Sequence, residues 1–139
     1  MSRYLLDTEL LLWWLNGDDR LPSWGVALLQ EPGAEVYVSQ VSLWELAEKQ
    51  ATGWLRLAEG LDLAALRAEL QRLNLRWLPI ADAHLLALAD LAPEPERFDP
   101  FDRLLVAQAR QEPLTLVSGD PAMKRYGATV FPLHRGGPR

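Results

Sequence analysis

Five short, almost unbroken apolar runs punctuate the chain: "RYLL" at 3–6, "EVYVS" at 35–39, "LRWLPI" at 75–80, "LTLVS" at 114–118 and "TVFPL" at 129–133. Runs of this length without strict alternation predict strands buried on both faces. Between most of them the apolar spacing lengthens to that of helices. "TELLLWWLNG" follows the first run and stops at Asn16-Gly17, a C-terminal signal. "VSLWELAEKQATG" follows the second and stops near Gly53. "LDLAALRAELQRLN" precedes the third run, "DAHLLALADLA" follows it with Asp82 as the expected cap, and "DPFDRLLVAQARQE" precedes the fourth. Strands alternating with helices predict an α/β fold, a central parallel sheet of four to five strands with helices on both faces. The 139 residues suit one such domain over 1–139. "APEPER" at 92–97 is expected to be a loop and 134–139 a flexible tail.

Composition narrows the chemistry. Apolar residues make up 49 % of the chain, enough for a core, and there is no cysteine. A disulfide framework, a thiolate zinc site and a cysteine nucleophile are thereby excluded. Asp7 and Glu9 interrupt the apolar N-terminus, which argues against a secretory leader or a membrane span there. The expected location is the cytoplasm, with no membrane partner. Net charge is −5, from 14 basic and 19 acidic residues. That argues against a surface that is basic throughout, but leaves room for a local nucleic-acid site.

The informative residues are acidic. In open parallel sheets, ligands bind outside the carboxyl ends of the strands. Asp7 ends the first predicted strand and Asp120 lies just past the fourth, so both fall on one sheet edge. Each acid also has a purely structural explanation. Asp7 and Asp120 suit helix N-caps. Ser42 and Glu45 have the spacing of a capping box, unless the helix starts near Ser39 and carries Glu45 beyond its first turn. Asp99 as cap, Pro100 as the first helical residue and Asp102 in the first turn make a strong helix start. Capping explains Asp99 fully and Asp102 less well. Four helix starts bringing carboxylates to one edge is a more specific signal than any one of them. His84 and His134 lack ligand spacing, so the site is oxygen-only and suits Mg²⁺ or Mn²⁺. Thr8 and Ser118 could orient water or ligands. Six tryptophans are many for this length, and Trp13 and Trp14 are adjacent. Core filling is the simpler reading of that pair, with cover by a partner as the other.

The stretches "YLLDTELLLWWLNGD", "VYVSQVSLWELAEKQATGWL", "DPFDRLLVAQA" and "LTLVSGDPAMKRYG" occur in the order found in the PIN-domain family. More narrowly, the chain resembles the VapC-type toxins of bacterial toxin–antitoxin pairs. The resemblance covers nearly the whole chain, and "DPFDRLLVAQA" is its most specific block. It implies four functional acids at Asp7, Glu45, Asp102 and Asp120, Mg²⁺- or Mn²⁺-dependent cleavage of RNA, a homodimer and a cognate antitoxin. Relatives often have His where this chain has Glu9, and His just before the block that here reads "ERFDPFD". Neither position is one of the four acids, so these departures bear on RNA choice and antitoxin fit.

The mechanism expected is metal-assisted phosphodiester hydrolysis. Asp7 and Asp102 are the expected inner ligands, Glu45 and Asp120 complete the site, and Asp99 serves as cap and outer ligand. Arg97, Arg103, Lys124 and Arg125 are candidates for phosphate contact. An inhibitory partner is expected to cover Trp13 or Trp14. Two alternatives stand beside this reading: a haloacid-dehalogenase-like phosphohydrolase, whose D-x-D pattern would need Asp at position 9, and a non-catalytic PIN-like interaction module.

Overall fold

The computed structural model of the protein describes residues 2–53, 62–93 and 99–133. Arg97, most of the "APEPER" loop, His134 and the expected tail lie outside these residues. Strands β1 (Arg3–Leu6), β2 (Glu35–Ser39), β3 (Arg76–Leu78), β4 (Thr115–Ser118) and β5 (Val130–Pro132) form one sheet in the order β3-β2-β1-β4-β5. Every pairing is parallel. In the centre, Tyr4 is paired with Val36 on one side and Thr115 on the other. The chain builds outward from β1 through β2 to β3, then returns to the opposite flank for β4 and β5. Strand order therefore reverses beside β1, which opens a crevice between the carboxyl ends of β1 and β4.

Side chains alternate across the sheet, as the two-residue period of a strand requires. Tyr4, Leu6, Val36, Val38 and Val117 join Leu10, Leu11 and Trp13 of helix α1 (Thr8–Leu15) and Leu66 and Leu70 of α4 (Leu66–Arg72). Leu5 and Leu116 join Leu104, Leu105, Val106 and Ala109 of α6 (Pro100–Gln111) on the other face. Burial on both faces is the reason the strands read as continuous apolar runs.

The helix starts settle one open alternative, overturn one expected cap and add one helix that was not predicted. Helix α3 (Gln40–Ala51) is capped by Ser39, whose Oγ accepts from the Val41 N–H at 2.9 Å. Glu45 thus lies beyond the first turn, and the Ser42–Glu45 capping box does not form. Helix α5 (Asp82–Ala89) begins at Asp82, so Asp82 is not its cap. The Ala81 N–H donates instead to Nδ1 of His84 at 3.0 Å. His84 can do this because it is buried and held from below: Gln108 and Glu112 contact its ring, and Ser39 Oγ donates to Gln108 Oε1. Helix α2 (Ser23–Leu29) has no counterpart among the predicted elements; it is short, follows Pro22 and buries little beyond Gly25 and Leu29. The run predicted at 75–80 is a strand only over 76–78, because Pro79 lacks the N–H to continue the ladder.

Trp13 is core. A Cβ on Gly119 would stand 2.5 Å from Cη2 and Cζ3 of its ring, so the residue between Ser118 and Asp120 must be glycine for the ring to fit. The Arg20 guanidinium covers the same ring, 5.2 Å from its centroid. Trp13 is therefore core, as the simpler reading had it, and of the two tryptophans only Trp14 is left for a partner to cover. Trp14 is half-buried against the same cluster and lines an open groove with Leu29 and Leu73.

Candidate active site

Asp7 follows β1 directly. Its N–H donates to the Val117 carbonyl at 3.0 Å, which extends the β1–β4 ladder by one bond. Its Oδ1 accepts from the Glu9 N–H at 3.1 Å, as a cap, and its Oδ2 accepts from Ser118 Oγ at 2.6 Å. Ser118 Oγ also accepts from the Asp120 N–H at 3.1 Å, and Asp120 Oδ1 accepts from the Ala122 N–H at 2.9 Å. One hydroxyl at the end of β4 thus ties together the two acids of the crevice. Thr8 and Ser42, with hydroxyls 2.8 Å apart and buried, tie the start of α1 to α3. Glu45, one turn past Ser42, is 5 % exposed. Its Oε2 accepts from Lys49 Nζ at 2.6 Å, whereas its Oε1 is buried with no hydrogen-bond partner among the described residues.

Helix α6 brings the remaining acids. Asp99 Oδ1 accepts from the N–H groups of Phe101 and Asp102, at 2.9 and 3.2 Å, so Asp99 is the cap. Asp102 stands in the first turn, and the negative charges of the other four acids press on it. Burial, then Asp7, Asp99, Glu45 and Asp120, push its carboxyl pKa up to about 8. Burial likewise pushes Asp7 up to about 6, against the opposing hydrogen bonds from Ser118 and Glu9 and with added repulsion from Glu45 and Glu9. Carboxyl groups raised by burial and by one another at a sheet crevice are the pattern expected where a cation or a reacting group belongs.

Among the described residues, no three His, Cys, Asp or Glu side chains form a ready-made metal cage. Asp7, Asp99 and Asp120 each turn an oxygen to a backbone N–H, and Glu45 turns one to Lys49. The donor chemistry nevertheless fits a hard divalent cation. Every donor is oxygen, one buried oxygen of Glu45 lacks a partner among the described residues, and the charge gathered on Asp102 is of the sign a cation relieves.

The phosphate candidates fare differently. Lys124 lines a cleft of about 290 Å³ with Ser118, Gly119 and Asp120, beside the carboxylates. Arg125 lies over the Tyr126 ring, 5.6 Å from its centroid. Arg103 is a correction: it is 8 % exposed, and its guanidinium donates to the carbonyls of Ala92 and Leu91 at 2.6 and 3.1 Å. A phosphate would have to break both bonds. Lys49 escaped the sequence reading, although its position four residues after Glu45 is the spacing of a helical ion pair.

Similar architectures are found in solved structures. VapBC2 from Rickettsia felis, bound to a promoter DNA fragment, matches with a TM-score of 0.68 and 17 % identity, over 93 % of this chain and 96 % of that one. A toxin–antitoxin complex from Klebsiella pneumoniae matches with a TM-score of 0.61 and 15 % identity, over 91 % and 94 %. FitAcB from Neisseria gonorrhoeae matches with a TM-score of 0.62 and 23 % identity, over 92 % and 96 %. At these identities the likeness is one of fold. No curated protein matches the sequence. The PIN-domain family model matches residues 4–128, and with a parallel five-stranded sheet gathering acids at its β1–β4 crevice, the chain belongs to the PIN-domain family.

Proposed function

We propose that this chain is a Mg²⁺- or Mn²⁺-dependent endoribonuclease, the VapC-type toxin of a toxin–antitoxin pair, acting in the cytoplasm as a homodimer and restrained by a cognate antitoxin. The whole chain is read as one PIN domain. The observation that carries the proposal is that Asp7, Asp99, Glu45 and Asp120 all stand near enough to Asp102 for their charges, added to its burial, to raise its pKa. A bound cation would relieve that repulsion. Solved structures of similar fold that are toxin–antitoxin complexes support the biological setting.

A divalent cation there would lower the pKa of a water and neutralise charge on the phosphoryl oxygens. Asp7 and Asp102 would hold it, with Glu45 and Asp120 completing the set and Asp99 contributing from its cap position. Ser118 fixes the Asp7 carboxyl by the 2.6 Å bond to Oδ2, leaving the group little rotational freedom. The Thr8–Ser42 contact fixes the distance between α1 and α3, hence between Asp7 and Glu45. A carboxylate facing the attacking water would take its proton. Lys124 and Arg125 are the described residues proposed to meet the RNA backbone. The dehalogenase-like alternative needs a second aspartate at position 9, where Glu9 stands.

The test is cleavage of single-stranded RNA by purified protein. Activity should appear with Mg²⁺ or Mn²⁺, vanish with chelator and fall in Asp102→Asn by about a thousandfold. That is the several kcal/mol a metal supplies to a phosphoryl transition state, at ~1.36 kcal/mol per tenfold. An Asp102→Asn protein as active as wild type would remove the site.

A further inference from the structure

Lys49 lies one turn after Glu45 on α3, with Nζ 2.6 Å from Glu45 Oε2. The pair is lopsided: the Glu45 side chain is 6 % exposed and that of Lys49 is 47 % exposed. The ammonium also feels Asp99, the cap of α6, and Glu9 on α1. Glu45 belongs to the carboxylate cluster, so the half-exposed ammonium bonded to it stands beside that cluster and open to solvent. The bland account is an i, i+4 helix pair that neutralises a buried carboxylate. That account leaves Glu45 half satisfied, since Oε1 has no partner among the described residues.

An RNA phosphate approaching this cluster meets a protein of net charge −5. Arg103, with its guanidinium on two backbone carbonyls, offers it nothing. Lys49 is a cation already at the right place on a flexible stem. An ammonium is a compact point charge with three rotatable donors, and it can change partners at little cost. Resting on the ribonuclease reading above, we propose that Lys49 is a substrate-contacting residue of this site, held by Glu45 until a divalent cation takes that carboxylate and then turned to a phosphate oxygen of the RNA. The same side chain competes with the cation for Glu45 and grips the substrate.

The test compares wild type, Lys49→Met and Lys49→Arg. Methionine keeps the stem length and the helix propensity. Calorimetric Mn²⁺ titration of the metal-free proteins should show Lys49→Met binding the ion about threefold tighter, the size of one exposed charge contact removed. On a short mixed-sequence single-stranded RNA, Lys49→Met should raise KM. Its plot of log kcat/KM against log salt should be shallower by about 0.7, the loss of one phosphate contact to a single strand. Lys49→Arg should restore the slope. A slope unchanged in Lys49→Met, with only a lowered melting temperature, would show a structural ion pair and overturn the proposal. Wild-type protein that neither binds Mn²⁺ nor cleaves the RNA overturns the ribonuclease reading and this inference with it. Wild type that does both beside an indifferent Lys49→Met overturns the Lys49 role alone.

Discussion

Helix α6 carries two polar clusters, and they are opposites. Near its end, Gln108 is buried between Ser39 and His84, and the His84 ring reaches Glu112. The Ala81 N–H completes the arrangement by donating to His84 Nδ1. Donor meets acceptor throughout, and three segments are locked together: the cap of α3, the cap of α5 and the body of α6. Near its start, Asp102 faces four acids, and Glu45 keeps an oxygen without a partner among the described residues. A satisfied buried network specifies a structure. An unsatisfied one in the same helix costs stability, and its place at the sheet crevice fits the chemistry proposed for it.

The sharpest way to break this comparison is to substitute both ends of α6. Gln108→Ala should cost about 3 kcal/mol, from the cavity and from the Ser39 hydroxyl left without its acceptor. Asp102→Asn, measured without metal near pH 8, should instead stabilise by on the order of 1–2 kcal/mol, because a repelled charge is removed. Urea denaturation of both variants checks the signs. If Asp102→Asn destabilises the metal-free protein, the acidic end is a structural network like the other.

The pH dependence sharpens the same contrast. Asp7 rises from 3.8 to about 6 and Asp102 from 3.8 to about 8, so each binds its proton more tightly folded than unfolded. The stability they contribute is therefore full below pH ~4 and is lost as pH climbs through about 6 and then about 8. For buried Asp7 the loss is about 3 kcal/mol at ~1.36 kcal/mol per unit. The difference between the wild-type and Asp7→Asn stability curves, measured without metal, isolates it. That difference should grow between pH ~4 and about 6, level off above, and shrink when Mg²⁺ is added. A flat difference would mean that Asp7 is not strained by burial.

The smallest effect separates the two aspartates of "DPFD". Asp99→Ala should cost about 1 kcal/mol, the usual value of an N-cap. Asp99→Ser keeps an oxygen for the Phe101 and Asp102 N–H groups and should retain most stability and cleavage. An Asp99→Ser protein as inactive as Asp102→Asn would make Asp99 a ligand of the first rank.

Much of this was legible in the chain. All five strands sit inside or on the apolar runs, because strands buried on both faces leave a signature that needs no tertiary knowledge. Helix starts were nearly as clear: Asp7, Asp99 and Asp120 cap where caps were expected. Capping is local, a side chain meeting an N–H two or three residues on. The parallel alternation by itself also sends Asp7 and Asp120 to one sheet edge. What only the tertiary structure decided depends on residues far apart in the chain. Ser118 reaches Asp7 across 111 positions, and Ser39 reaches Gln108 across 69. Arg103 looks like a surface cation in sequence and becomes a buried clamp because two carbonyls, 11 and 12 residues back, face it. His84 becomes a cap because α6 packs beneath it. Residue type and spacing dictate local hydrogen bonds and the buried faces of elements; whether a charge ends up satisfied, repelled or exposed is set by what the fold brings to meet it.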